Sequence, residues 1–200
     1  MREFEESPMV VGSGDLWRQA TQAKFLCAVE DGTLPEDAFR RWLAQDYLFA
    51  RGLTTFQAIA TAKAPREPQR LLIAGLAALD EEMDWFESCS TERGVDLKVD
   101  PHRVCRRYVD FLIASAYSQP FEVLLAILYG VEVSYLVAWS RLQPTGPYAD
   151  VVQRWSSAPF VKYVQGLLAF CVQFRHAEQQ EHFNGVLRHE RDFWRMTWEG

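Results

Sequence analysis

The chain has 200 residues, 48% of them hydrophobic and 24% charged, a length at which one core buries roughly 70% of the extended surface and disorder or fibre is excluded. Twenty-one Lys and Arg against 27 Asp and Glu leave a net charge of −6 and a pI near 5.3, which disfavours nucleic acid, polyphosphate or an anionic bilayer as a main partner and leaves small molecules open. Cys27, Cys89, Cys105 and Cys171 are isolated, with no CxxC pair, so neither a disulfide framework nor a structural zinc site is expected and a reducing, cytoplasmic setting fits.

Apolar residues recur at three- and four-residue intervals and strand-like alternation never persists, so the chain is predicted to be all-α, one bundle of about seven or eight helices. Residues 1–12 are expected to form an extended N-terminal arm ahead of a single domain over 13–200. The acidic start MREFEESPMV lacks the basic region and apolar run of a signal peptide. A first helix, capped by Ser13 or Asp15, should run to about Glu30, where Asp31-Gly32-Thr33 stops it. Pro35 opens a second, to about Lys63, and Pro65 and Pro68 mark its end. A third spans about 68–92 and closes at Arg93-Gly94; a fourth starts from Asp100-Pro101 and runs to Ser118. Residues 121–141 are apolar on almost every side, as in a helix surrounded by others, and Glu122 and Glu132 argue against a membrane span. Pro144-Thr145-Gly146-Pro147 is the clearest loop. A short helix from Tyr148 to Trp155, one from Pro159 to about His176 and a last one to Trp198 complete the series.

Four of these helices place a carboxylate on their apolar stripe when residues are set about 100° apart. Asp46 lies between Trp42, Phe49 and Leu53 on one side and Phe39, Leu43 and Ala50 on the other. Glu82 falls among Ala78, Trp85, Leu79 and Phe86; Glu132 shares a face with Leu125, Leu128, Tyr135 and Trp139; Glu190 sits among Phe183, Val186, Leu187, Phe193 and Trp194. A buried carboxylate has to be hydrogen-bonded, paired with a cation, bound to metal or protonated. A single one serves as helix cement as readily as anything else. Four facing a common hollow suit acid–base work near neutral pH, or the recognition of a ring that offers N–H donors.

No inward Glu is followed by His three residues on, so a dinuclear metal site is not expected, and no cofactor is called for. His182 and His189, seven apart, share a face with Glu178 and are expected as solvated side chains. No GxSxG elbow and no phosphate-cradling glycine loop occurs.

The run from Leu16-Trp17 through Phe25, Asp31-Gly32-Thr33-Leu34-Pro35, Phe39 and Trp42-Leu43-Ala44-Gln45-Asp46-Tyr47-Leu48-Phe49 resembles the opening of the TenA/PqqC family, whose fold is like heme oxygenase. Tyr108-Val109-Asp110-Phe111-Leu112, Tyr129-Gly130-Val131-Glu132 with Tyr135 and Trp139, and His189-Glu190-Arg191-Asp192-Phe193-Trp194 resemble three further family blocks. The resemblance implies a thiamin-salvage hydrolase of aminopyrimidines. Asp46 would hold the pyrimidine, with Phe49, Tyr108, Tyr135 and Trp139 completing the substrate site. Glu190 would handle protons, with Glu82 and Glu132 as assistants. Leu125-Ala126-Ile127-Leu128 stands where the familiar form carries a Pro-Cys-x-Trp nucleophile, which implies the branch without that cysteine, acting on N-formylaminopyrimidine or a related product. Ala23 replaces a family-typical His, which disfavours heme. Assembly as a homodimer or homotetramer is likewise implied by the resemblance. The alternative is a noncatalytic pyrimidine-binding or regulatory protein of the same fold.

Overall fold

A computed structural model describes residues 1–143 and 146–200; Pro144 and Thr145 of the expected loop lie outside the described residues. Eleven α-helices follow one another among the described residues, with no strand: α1 (Arg2–Glu5), α2 (Pro8–Ser13), α3 (Asp15–Thr21), α4 (Lys24–Glu30), α5 (Glu36–Lys63), α6 (Arg66–Arg93), α7 (Arg103–Ser118), α8 (Phe121–Ser140), α9 (Ala149–Trp155), α10 (Ala158–Gln173) and α11 (Gln179–Glu199). A 3₁₀ turn over Gly146–Tyr148 leads into α9.

The long helices begin and end where local chemistry dictates. Pro35 precedes α5, and Glu36 and Asp37 place negative charge in its first turn, where the exposed N–H groups carry partial positive charge. Pro65 separates α5 from α6. Gly94 ends α6 at φ +62°, a conformation that costs a residue without Cβ least, and Val95 N–H closes back onto the Ser90 carbonyl at 2.8 Å. The cap of α7 falls on His102 rather than Asp100, its Nδ1 accepting from Val104 N–H at 3.2 Å. Buried Gln45 fastens that start to α5, accepting from His102 N–H at 2.7 Å and donating to the Asp100 carbonyl at 3.2 Å.

The N-terminal part corrects two expectations. Residues 2–13 form α1 and α2 instead of an extended arm, with Phe4 and Val10 buried and Ser7 accepting from the Tyr129 hydroxyl at 3.2 Å. The expected first helix is two, because the backbone turns out of the helical region at Gln22 and Ala23. Neither Ser13 nor Asp15 caps α3; Ser13 donates to the Val10 carbonyl instead.

Helix α8 is the axis of the molecule, enclosed by α3, α5, α9, α10 and α11. By length and composition it is apolar enough to cross a bilayer, yet 89% of its most apolar window is buried inside the bundle, so its neighbours take up the surface that lipid would otherwise cover. At Gly130 an added Cβ would lie 3.2 Å from Phe183 and Val186, so glycine there sets how closely α11 approaches the axis. Helices α5, α6, α8 and α11 thereby bring their inward acids to one interior.

Candidate active site

Asp46 on α5, Glu82 on α6 and Glu132 on α8 line one small cavity of about 30 Å³, together with Phe49, Tyr135 and Trp155 among others. An aromatic layer fixes the Asp46 side. Trp42 Nε1–H donates to the Tyr135 hydroxyl at 3.0 Å, and that hydroxyl donates to Asp46 Oδ2 at 2.5 Å. Tyr135 stacks on Trp194 at 5.6 Å, with 13° between the planes, and Trp155 meets it edge-on at 5.5 Å. Asp46 is buried, at 4% exposure, so its one strong donor is a neutral phenol and no cation pairs with it among the described residues.

Glu190 lies a step behind this wall. It is 3% exposed and accepts from the Tyr108 hydroxyl at 2.6 Å. The Tyr108 ring packs against Phe49 at 4.6 Å and lies nearly parallel to the His189 imidazole at 4.9 Å. Of the eight residues singled out from the sequence, Asp46, Phe49, Glu82, Glu132 and Tyr135 therefore line the cavity; Glu190, Tyr108 and Trp139 do not. Trp139 is fully buried against Trp155, Trp194 and Tyr135, and its Nε1–H has no acceptor among the described residues.

Burial raises the proton affinity of all four acids. Glu132 is pushed up to about 8 by burial, then by repulsion from Glu82 and Glu190. Glu82 is pushed up to about 7 by burial, with Arg154 and a Trp155 hydrogen bond pulling it back. Glu190 rises to about 7 by burial, tempered by the Tyr108 bond. Asp46 is raised well above the carboxylate range by burial, which outweighs the Tyr135 bond, and Glu82 and Glu190 add to the rise. Glu82, Glu132 and Glu190 carry both forms near neutral pH, so donor and acceptor of a proton can stand side by side. Glu132 makes no hydrogen bond to protein among the described residues and faces the cavity directly. No group of three or more His, Cys, Asp and Glu among the described residues is arranged to hold a metal ion.

Three features escaped the sequence reading. Trp155 forms a wall of the cavity, although its short helix gave only the apolar neighbours Val151 and Val152 as a signal. Arg154 reaches toward Glu82 from the same helix, its guanidinium over Trp85 at 5.1 Å. His189, expected as solvated, is half-buried against Tyr108 and Phe111 and is pushed down to about 4 by burial and by the Arg107 and Arg188 cations. None of the four cysteines lines the cavity. The one that senses Asp46, Cys105, donates to the Gln45 carbonyl and is pushed up to about 12, chiefly by burial, which keeps it a thiol.

An all-α bundle whose axial helix and three partners enclose a small hollow of acids and aromatic rings defines the class of this protein. Residues 14–200 match the TENA/THI-4/PQQC family, and the chain belongs to it. A probable bifunctional TENA-E protein from Glycine max is 29% identical over 202 residues, covering 91% of this chain and 88% of that one. A thiamine biosynthesis multifunctional protein from Corynebacterium efficiens is 25% identical over 159 residues, which is 74% of this chain but 21% of that relative. A TenA homologue of solved structure from Pyrococcus furiosus superposes with a TM-score of 0.85 at 25% identity, covering 98% of both chains. Family and fold thus agree with the expectation drawn from the residues.

Proposed function

We propose that this protein hydrolyses thiamin-derived aminopyrimidines, N-formylaminopyrimidine or a related degradation product, with carboxylates as acid and base and no cysteine nucleophile. The observation that carries the reading is the cavity itself: three acids of raised proton affinity, one of them without a protein partner, around a space walled by aromatic rings. At about 30 Å³ it has room for a water or two, the size of the hydrolytic nucleophile. A pyrimidine ring is larger than this space, so the reading requires apolar lining side chains such as Leu53 and Leu79 to move aside on binding.

In this reading Asp46, its proton affinity raised by burial, offers in its protonated form an O–H donor and a carbonyl acceptor, which match the ring nitrogen and exocyclic amine of an aminopyrimidine. Phe49 and Tyr135 flank the ring. Glu132 takes a proton from water as it adds to the formamide carbonyl, and Glu82 or the same Glu132 returns one to the departing amine. Glu190, the proton-handling acid that the resemblance implies, stands behind Tyr108 and in this reading is the proton reserve that keeps that hydroxyl oriented, with Glu132 and Glu82 nearer the chemistry. The name of the thiamine biosynthesis relative supports the substrate class. The reading needs no cofactor or metal and sets the reaction in the cytoplasm, in a homodimer or homotetramer that light scattering would reveal.

The test is turnover of an N-formylaminopyrimidine followed by release of formate. Glu132→Gln and Glu82→Gln are expected to bind the compound and to lose at least about 100-fold in kcat, the usual contribution of a positioned acid or base, and Glu190→Gln to lose less, since Glu190 acts through Tyr108. Binding without turnover by the unaltered protein would favour the noncatalytic alternative, and failure to bind any aminopyrimidine would overturn both.

A further inference from the structure

A second hollow, of about 320 Å³, opens on the far side of the aromatic layer, between the α3–α4 junction and the last turns of α11. Its character is the reverse of the first. Lys24, Arg191 and Arg195 stand around it against a single lining carboxylate, Glu199, on a chain whose net charge is −6. Arg191 leans on its neighbour Asp192 at 2.8 Å, whereas Arg195 reaches Glu199 only at 3.8 Å, a loose and exposed pair. Lys24 is exposed and makes no ion pair among the described residues. Two cations are therefore available to an incoming anion at little cost.

The apolar part of the same hollow is aromatic. Trp198 is half-buried, leaving part of its ring toward the groove, and Trp194 forms the floor. That floor is held from beneath, since Trp194 stacks on Tyr135 and packs against Phe25 at 5.4 Å and Trp139 at 6.0 Å. A surface that does not have to be ordered on binding spends less of the interaction energy on entropy. Indole rings next to guanidinium and ammonium groups suit a flat ring with an anionic substituent, and a phosphate presents enough acceptor oxygens to meet donors converging from different helices.

We infer that the groove between Lys24, Arg195 and Trp198 is a second binding site, separate from the acid cavity, for a small aromatic molecule that carries a phosphate. The site stands on its own residues and does not depend on the proposed hydrolysis. Phenyl phosphate, benzoate, inorganic phosphate and phenol, each titrated into the intact protein by calorimetry, test it. Phenyl phosphate is expected to bind at least about tenfold more tightly than each of the other three, since inorganic phosphate lacks the ring, phenol lacks the anion, and benzoate carries one charge and two acceptor oxygens where a phosphate carries up to two charges and three terminal oxygens. It should also shift the Trp198 indole N–H resonance. Lys24→Glu with Arg195→Glu, or the milder pair of Gln substitutions, should weaken it about tenfold or more with an unchanged circular dichroism spectrum, and Trp198→Ala should remove its advantage over inorganic phosphate. No binding of phenyl phosphate, equal binding of inorganic phosphate, or binding indifferent to both the charge and the Trp198 substitutions would overturn the inference.

Discussion

The acid cavity and the basic groove are separated by one aromatic layer, Tyr135 stacked on Trp194, yet they treat charge in opposite ways. Inside, about 30 Å³ is bounded by acids that burial drives toward their neutral form. Outside, about 320 Å³ is bounded by three cationic side chains, two of them exposed to water. The contrast shows that the layer does more than fill space: it sets the dielectric boundary, and proton affinity follows from which side of it a carboxylate occupies.

Breaking the boundary should have the largest effect. Trp194→Ala removes a fully buried ring, and a loss of about 3–5 kcal/mol is expected from urea unfolding; a loss below about 1 kcal/mol would mean that the layer is not packed as described. The pH dependence of stability comes next. Glu82, Glu132 and Glu190 rise from 4.5 to about 7, 8 and 7, so the folded state holds protons that the unfolded state releases. Their contribution is complete below 4.5 and is lost as pH climbs through 7 to 8. His189 acts in the opposite sense: its folded value near 4 lies below 6.5, so its contribution is lost as pH falls through that interval. Melting temperature should therefore peak on the acid side of neutrality. Glu132→Gln should flatten the alkaline limb by up to one proton, about 1.4 kcal/mol per pH unit; an unchanged limb would place the Glu132 carboxyl in water.

A smaller effect is expected of Tyr135→Phe, which keeps the ring stack but takes from Asp46 its only hydroxyl donor among the described residues. About 1–2 kcal/mol should be lost in chemical unfolding, with the proton affinity of Asp46 raised further. The smallest belongs to the groove. Lys24→Glu with Arg195→Glu should leave stability within about 0.5 kcal/mol, because both side chains are exposed and neither holds a strong ion pair. A large loss there would show that the rim supports the fold.

The inward acids were legible because a 3.6-residue period reports the side of a helix without its neighbours, and Asp46, Glu82, Glu132 and Glu190 each interrupted an apolar stripe. Helix ends at Pro35, Pro65 and Gly94 were legible for a similar reason, since proline and glycine act through their own backbone. The break at Gln22–Ala23 carries neither residue and left no local mark; Ser7-Pro8 does mark the start of α2, but what holds the helices over 2–13 lies far along the chain, in Tyr129 and in α11. His189 looked solvated for the same reason: the ring it lies on, Tyr108, arrives from α7.

Periodicity, prolines and glycines by themselves thus determined an all-α bundle, its long helices and the side of each helix that carries an acid. Tertiary packing decided which acids border the cavity and which stands behind a tyrosine, brought Trp155 in from a short helix, and joined residues near 24 to residues near 195 in a groove of the other charge. The division has one physical cause. A helix's own geometry assigns a residue to a face, whereas the shape and dielectric of the space beyond that face are set by the other helices.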